Sequence, residues 1–442
     1  MGELRTMTVV VVHPDPAALP NPSADCVPVW LYGPRPHQQG TATIGGPVLD
    51  EVARVQPRVD PLAFDLLSLS LAVTAADSFV DRDLAADGWA RKIELVIALS
   101  NPVPWRGVAR QLEEALGFLS GDIWSLNILS GGEAPPSPKP RARKLNIGRC
   151  DCVSLYSGGL DSAIGVLDLR ANGLRPVLVS HAYRRDASRQ EELLSYLDAP
   201  IERFALNAEP KAWLNRSNDV QMRTRSFNFL AMGALMASTL AHHSQRGHVT
   251  LYVPENGLIA INPPLTSRRI GALSTRTTHP HYLGLVQNIF RDVGLPVNLK
   301  NPYAHFTKGE MILQCRRPAE LRRLAGRSVS CGKWKRTGHQ CGKCVPCLIR
   351  RASFHAANWN DETDYAPEGT DLRHVFQHVS EPDDLMAMIL AARRLPTANV
   401  GDWIANTGPL PADPVKRAAI VTAVTRGLAE VRVYLGSLNL LG

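Results

Sequence analysis

Tyr156-Ser157-Gly158-Gly159-Leu160-Asp161-Ser162 follows the apolar run Cys152-Val153-Ser154-Leu155 and leads into Ala163-Ile164-Gly165-Val166-Leu167-Asp168-Leu169. The first run predicts a buried strand and the last a helix, which makes the quoted residues the turn between them. A turn of that kind is an anion site. Its backbone N–H groups and the helix's unpaired first donors converge on one point, where the helix dipole favours negative charge. Gly158 and Gly159 let the chain turn sharply and let a phosphate approach with no Cβ in the way. Ser157 and Ser162 add hydroxyl donors, and Asp161 is placed to act on a metal ion or on the geometry of the turn. A bare Gly-Gly pair carries no such implication. The full string Ser157 to Ser162, behind a buried strand, does.

The rest of the chain sets bounds on what such a site could serve. At 442 residues two or three domains are expected, and an apolar share of 45% is ample for real cores. The net charge of +8, from 49 basic and 41 acidic residues, suits anionic partners without choosing among them. Near the N-terminus the only apolar run is 9–12, far short of a signal-peptide core. The run 229–241 is short of the ~20 residues that span a bilayer. A cytoplasmic protein with no membrane partner is expected.

Residues 1–130 read as a mixed α+β domain of their own, a possible docking unit for a partner. Strands are expected at 7–12, 27–32, 93–99 and 123–129, with helices at 61–76 and 107–119. Trp30, Trp89, Trp105 and Trp124 read as packing residues. Residues 131–145 (Gly-Gly-Glu-Ala-Pro-Pro-Ser-Pro-Lys-Pro-Arg-Ala-Arg-Lys-Leu) have the composition of a solvated, proline-stiffened linker. From 146 the pattern alternates: strands at 176–181, 201–206, 248–253 and 297–299, helices at 187–197, 222–242 and 280–293. Short links between them imply a doubly wound parallel sheet, so the fold class is α/β. Ligands of such sheets lie beyond the carboxyl ends of the strands, where the glycine turn falls. Residues 361–442 read as helical, at 380–395 and 414–435. In the first of these Asp383 and Asp384 stand near the start and Arg393 and Arg394 near the end, matching the dipole.

Four of the eight cysteines cluster: Cys331, then Cys341, Cys344 and Cys347. Four thiolates, three on a tight turn eased by Gly342 and Pro346, suit a closed tetrahedral Zn2+ site with no open position for substrate, hence a structural one. An iron–sulfur cluster is the rival for a four-cysteine set.

With these motifs in place, the Ser157–Ser162 loop resembles the pyrophosphate loop of PP-loop ATP pyrophosphatases. Three more segments extend the likeness: Cys341-Gly342-Lys343-Cys344-Val345-Pro346-Cys347, Thr307-Lys308-Gly309-Glu310 and Arg225-Ser226-Phe227-Asn228-Phe229-Leu230. Together they resemble the QueC-like 7-cyano-7-deazaguanine synthases over roughly residues 146–359. That resemblance implies ATP-dependent adenylation of a 7-deazaguanine carboxylate, amide formation with ammonia, then a second activation that gives a nitrile. It implies a pyrophosphate cradle made of Ser157, Gly158, Gly159, Leu160, Asp161 and Ser162, with Arg225 near the nucleotide. Asp161, Ser162 and Lys308 are the implied catalytic residues, and released pyrophosphate implies Mg2+.

The chain departs from the compact family in its N-terminal region, its C-terminal helices and a long polar segment, 255–281, which includes Arg268, Arg269, Ser274 and Thr275. Those departures resemble the larger QueC-like proteins of bacterial anti-phage (Qat) operons. Partner proteins from the same operon are then expected, one of them offering an amine as acyl acceptor. Two other readings stay open. A PP-loop tRNA-modifying enzyme is suggested by eleven Lys or Arg against one acid, Glu320, over 316–351, although Trp334 is the sole aromatic there for stacking on bases. A thiolase of that kind would want a reactive cysteine near the loop, such as Cys150 or Cys152. The other reading is a non-catalytic nucleotide sensor.

Overall fold

A computed structural model of the chain describes residues 7–34, 40–85, 87–139, 144–181, 183–213, 223–266, 276–334, 338–378 and 384–442. Met222, Arg268, Arg269, Ser274, Thr275, Lys335, Arg336 and Asp383, each invoked above, lie outside those residues, as do 140–143 of the linker and 380–383 of the expected helix 380–395.

Two five-stranded sheets carry the architecture. The first contains β1 Thr8–His13, β2 Cys26–Leu31, β3 Ala42–Ile44, β4 Lys92–Leu99 and β5 Ile123–Ser130. The second contains β6 Cys152–Leu155, β7 Pro176–His181, β8 Arg203–Leu206, β9 Val249–Tyr252 and β10 Val297–Lys300. Their orders are β3-β2-β1-β4-β5 and β8-β7-β6-β9-β10, the same third-second-first-fourth-fifth sequence in each. All pairings in both sheets are parallel. The expectation of a mixed N-terminal domain is therefore corrected to a parallel α/β one. The four expected strands there have alternating apolar residues and no hairpin turns between them; the three-residue β3 is too short for periodicity to reveal.

The helices that bear on the site are α1 Pro61–Phe79, α2 Ala109–Ser120, α3 Leu160–Ala171, α4 Arg184–Leu194, α5 Arg225–His243, α6 Pro280–Val293, α7 Lys308–Gln314, α8 Val345–Ala356, α9 Asp384–Arg394 and α10 Pro414–Ser437. α1 is long and apolar enough to cross a membrane, and 94% of its apolar window is buried inside the protein. It is a core helix. α1 packs along α5, and α2 along α6. The equivalent crossover helices of the two sheets are thus back to back, and one apolar core runs continuously from Val10 through Leu66 and Leu235 to Val297.

Polar bonds fix that junction. Asn228 Nδ2 donates to Ser70 Oγ at 2.9 Å, and Thr239 Oγ1 accepts from the Asp60 N–H at 3.1 Å. Asp77 of α1 accepts from both the N–H and the hydroxyl of Thr224, at 2.8 Å each. Because Thr224 is the cap residue of α5, a carboxylate of the N-terminal half holds the start of the helix that bears Arg225. Asp77 also pairs with buried Arg91, which shares Asp122 with Arg82.

The linker expected to be a solvated hinge is tied down along its described part. Gly132 N–H donates to Leu99 O at 3.1 Å and Lys139 N–H to Ala53 O at 3.0 Å, while residues 145–146 pair in parallel with 55–56. The C-terminal helices form a smaller apolar core with α8 and the short helix Gly257–Ile261, and α10 also packs against α7.

Replacing Asp77 by Ala strips the α5 cap and leaves Arg91 short of a partner in the interior. Breaking a buried pair of this kind costs about 3–5 kcal/mol. A fall of the urea midpoint by that equivalent, measured on the full chain, is the expected outcome. An unfolding free energy within about 1 kcal/mol of wild type contradicts it.

Candidate active site

The glycine turn lies at the carboxyl end of β6, and the residues after β9 lie beside it, because β6 and β9 are neighbours where the winding of the sheet reverses. Gly158 has φ +79°, a left-handed conformation that favours glycine. A Cβ on Gly159 would stand 3.2 Å from both Ser157 Oγ and Val329 O. Within the turn, Ser157 Oγ accepts from Gly159 N–H at 3.2 Å and lies 3.3 Å from Ser162 Oγ, which donates to Gly159 O at 2.9 Å. Gly159 caps α3 with no side-chain bond of its own, so the first N–H groups of that helix remain available to an anion. Leu160 is buried in the core and anchors the turn from below.

Asp161 and Lys308 form a buried ion pair, the Nζ of Lys308 donating to Asp161 Oδ1. Asn256 donates to the other carboxylate oxygen from its backbone N–H (3.1 Å) and its amide (2.6 Å). Despite burial, the Lys308 charge and these bonds hold the Asp161 carboxyl below its ordinary range. Glu255 faces the same carboxylate, and burial together with the Asp161 charge raises its carboxyl well above the usual range. Lys308 starts α7, where Thr307 and Glu310 form a reciprocal capping box. A lysine legible in sequence only as a helix-start residue is an interior cation.

Above this cluster is a cavity of about 270 Å³ lined by Ser157, Ser162, His181, Arg225, Phe229 and Glu255, among others. The rings of His181 and Phe229 are 4.6 Å apart. A second recess of about 190 Å³ lies on the other side of Ser157 and Arg225, lined by Gly158, Arg189, Gln190 and Trp334. Arg225 stands between the two, 5.0 Å over the Tyr183 ring and 3.8 Å from Asp186.

The four cysteine sulfurs all lie within 4.8 Å of one another, with Cys331 and Cys344 Sγ 3.9 Å apart. A zinc tetrahedron with Zn–S bonds of ~2.3 Å has S···S edges of about 3.8 Å, so the donor set fits one closed Zn2+ site. Backbone N–H groups of Lys333, Cys341 and Cys344 donate to these sulfurs at 3.3 Å. The loop reaches the glycine turn directly, since Val329 N–H donates to Gly158 O at 3.0 Å. Gln340 bridges Ser328 and Ser330, and buried Arg350 donates to the hydroxyls of both. The cysteine loop is thus the roof of the turn.

Other expectations resolve differently. Among the described residues, Arg276 donates to Phe118 O at 3.0 Å and His279 is bonded to Thr407. The end of the 255–281 segment is therefore anchored between the N- and C-terminal regions, while Glu255, Thr277 and Thr278 line the cavity. The basic stretch 316–351 is largely committed internally. Arg317 pairs with Glu320, Arg323 with Asp198, Arg327 with Glu192; Arg350 is interior and Arg351 bonds Gly369 O. Cys150 and Cys152 are buried, and burial pushes their thiols up to about 11 and about 12, the opposite of a reactive thiolate.

Glu255, Asn256, His181 and Val329 were not singled out individually by the motifs. The signal for the first two was available: they directly follow the fourth strand of an α/β sheet, at its switch point. His181 ends the second strand, where the same rule applies.

No protein-family model matches the chain. The 7-cyano-7-deazaguanine synthase of Ralstonia pickettii (strain 12J) is 26% identical over 232 residues, covering 48% of this chain and 97% of that protein. The chain therefore spans nearly the whole of that relative and about as much again besides. The likeness is to a protein named as a 7-cyano-7-deazaguanine synthase, over about half of the chain.

Two measurements probe the site. Asp161→Asn leaves Lys308 buried without its counter-ion, and Lys308→Met leaves the carboxyl pair without its cation. Each is expected to cost about 3–5 kcal/mol, and the double variant less than the sum of the two, read from urea unfolding. Strict additivity contradicts the pair. For the cysteines, one Zn2+ per chain is expected by elemental analysis, lost in Cys347→Ser with a fall in Tm of at least about 5 °C. An iron–sulfur absorption spectrum, or unchanged Tm, contradicts it.

Proposed function

We propose that the chain is a C–N bond-forming ligase of the QueC-like kind, which adenylates a 7-deazaguanine carboxylate and passes the acyl group to an amine. The observation that carries this reading is the buried Lys308–Asp161 pair beneath the glycine turn, beside Glu255, which lines a cavity shared with His181 and Phe229. A flat bicyclic base suits the space between Phe229, His181 and Arg225, and a triphosphate suits the turn and the recess by Arg189. The cavity is close to the small end of ligand pockets, ~300–1,000 Å³, as a base-sized substrate requires.

In the first step a carboxylate oxygen attacks the α-phosphorus of ATP. The bond from that phosphorus to the α–β bridging oxygen breaks, and pyrophosphate leaves with the electron pair. The Leu160 and Asp161 N–H groups and the Ser157 hydroxyl are the donors offered to the departing charge, with Lys308 as the buried cation behind the turn. Arg225, at the junction of the two recesses, is the cation beside the reacting phosphate. Mg2+ would be held mostly by phosphate oxygens and water, since Lys308 and Asn256 engage both Asp161 oxygens. Mg2+ supplies charge neutralisation at the phosphates. In the second step an amine nitrogen attacks the acyl carbon, the acyl C–O bond breaks, AMP leaves and the nitrogen gives up a proton.

The amine is that of a partner protein encoded alongside, as in the Qat-type anti-phage systems of the QatC kind, with ammonia as the competing nucleophile. Anchoring of the 255–281 segment on both appended regions supports an acceptor different from that of the compact enzyme. The internal commitment of the basic stretch weighs against a phosphate-backbone track on RNA.

Incubation of the purified protein with ATP, 7-carboxy-7-deazaguanine and each operon neighbour tests the reading by intact mass. A neighbour heavier by the acid less one water is expected. AMP formation with every neighbour unchanged confines the acceptor to ammonia, and no AMP with the acid contradicts the ligase reading altogether.

A further inference from the structure

We infer that Glu430 is a positioning residue for Lys308, so that the C-terminal helix α10 is a working part of the ATP site. The inference deepens the function proposed above and rests on it. α7 is only seven residues long, too short to hold its own first turn firmly without tertiary support. That support comes from α10, which lies across its start. Glu430 accepts from the Thr307 hydroxyl and from the Gly309 N–H at 3.3 Å. Thr307 and Gly309 flank Lys308, so both neighbours of the lysine are held by one carboxylate.

The fit is close. A Cβ on Gly309 would stand 2.6 Å from a Glu430 carboxylate oxygen, which makes glycine the residue this approach permits. The Thr307 hydroxyl accepts from Glu310 N–H at 3.0 Å as the cap of α7, and its one proton goes to Glu430. On the outer side Arg426, one turn earlier on α10, donates to Glu310 at 2.6 and 3.1 Å and to His305 O at 2.8 Å. α10 therefore grips the turn from within by Glu430 and from without by Arg426. Lys308 in turn reaches Asp161 with no slack, as a buried pair must.

The charged groups that face Glu430 are Glu310 of α7, Arg426 of its own helix and the Lys308 backbone's neighbours at the dipole end of α7. Burial first, then Glu310, raise the Glu430 carboxyl to about 7, with the Thr307 and Gly309 bonds and Arg426 opposing. An ionised Glu430 accepts both bonds fully; a protonated one presents one weakened acceptor. The sign for stability follows. A carboxyl raised in the folded state gives stability that is complete below its unfolded value near 4.5 and is lost as pH rises through about 7. The positioning of Lys308 should improve over the same interval in which that stability falls.

The test compares wild type with Glu430→Gln, which keeps volume and an acceptor oxygen, and Glu430→Ala. Accessibility of Lys308 is read without ATP, by the rate at which a lysine-acylating reagent labels it, followed by peptide mass spectrometry. ATP–pyrophosphate exchange with the deazaguanine acid is read across pH 5.5–8.5, a window about 1.5 units either side of the expected midpoint. We expect Lys308 labelling to rise at least about threefold in both variants, and kcat to fall about tenfold in Glu430→Gln with KM for ATP little changed. The limb of the wild-type profile near pH 7 should vanish in Glu430→Gln, an effect that loss of packing alone does not produce. An unchanged labelling rate in both variants overturns the inference, whatever the exchange reads. Altered labelling beside a wild type that gives no exchange leaves Glu430 as the holder of Lys308 and removes the proposed function instead.

Discussion

The buried pair of Asp161 and Lys308 is the constraint on which the rest depends. Two charges in an interior repay their desolvation only where geometry is close and their remaining hydrogen-bonding capacity is used. Asn256 supplies two further donors to Asp161, and burial with the Asp161 charge raises the Glu255 carboxyl beside it. The pair in turn fixes the foot of α3, whose free N–H groups form one wall of the anion site. Three distant parts of the chain converge on the candidate site around it: the cysteine loop through Gly158, α10 through Thr307 and Gly309, and α1 through the Thr224 cap of α5.

This convergence changes how the appended regions read. The N-terminal half repeats the strand order of the half that bears the glycine turn and shares its core, with α1 against α5 and α2 against α6. Yet its first strand is followed by His13-Pro14-Asp15-Pro16 rather than by a glycine turn. Prolines 14 and 16 supply no N–H donors, so that turn lacks the converging backbone donors of the glycine turn. One sheet bears the candidate site, and its counterpart braces the helix that carries Arg225 and Phe229.

The sequence made the centre of this arrangement legible and left its supports hidden, for a physical reason. A glycine turn and a four-cysteine spacing are local: Gly158 and Cys341 each declare a backbone conformation or a ligand by their identity. The strands Pro176–His181 and the helix Pro280–Val293 were equally plain, because apolar periodicity and a proline at the helix start are local as well. Asp77, Glu255 and Glu430 are ordinary acidic residues on a helix or in a loop, and nothing near them in the chain marks their burial. Lys308 shows the boundary. Its tetrad was visible, but its pairing over 147 residues with Asp161 arises only once the sheet is assembled and α7, which follows β10, meets the turn after β6. The linker misled for a similar reason, since proline-rich composition describes stiffness and not what the strand of chain lies against.

The central claim is that this site splits ATP between its α and β phosphorus by attack of a substrate carboxylate. Transfer of isotope tests it most directly. With 7-carboxy-7-deazaguanine labelled by oxygen-18 in its carboxylate, ATP and an amine acceptor, the account predicts AMP carrying one labelled oxygen, with pyrophosphate as co-product. ADP and phosphate as products, or AMP free of label, would contradict it.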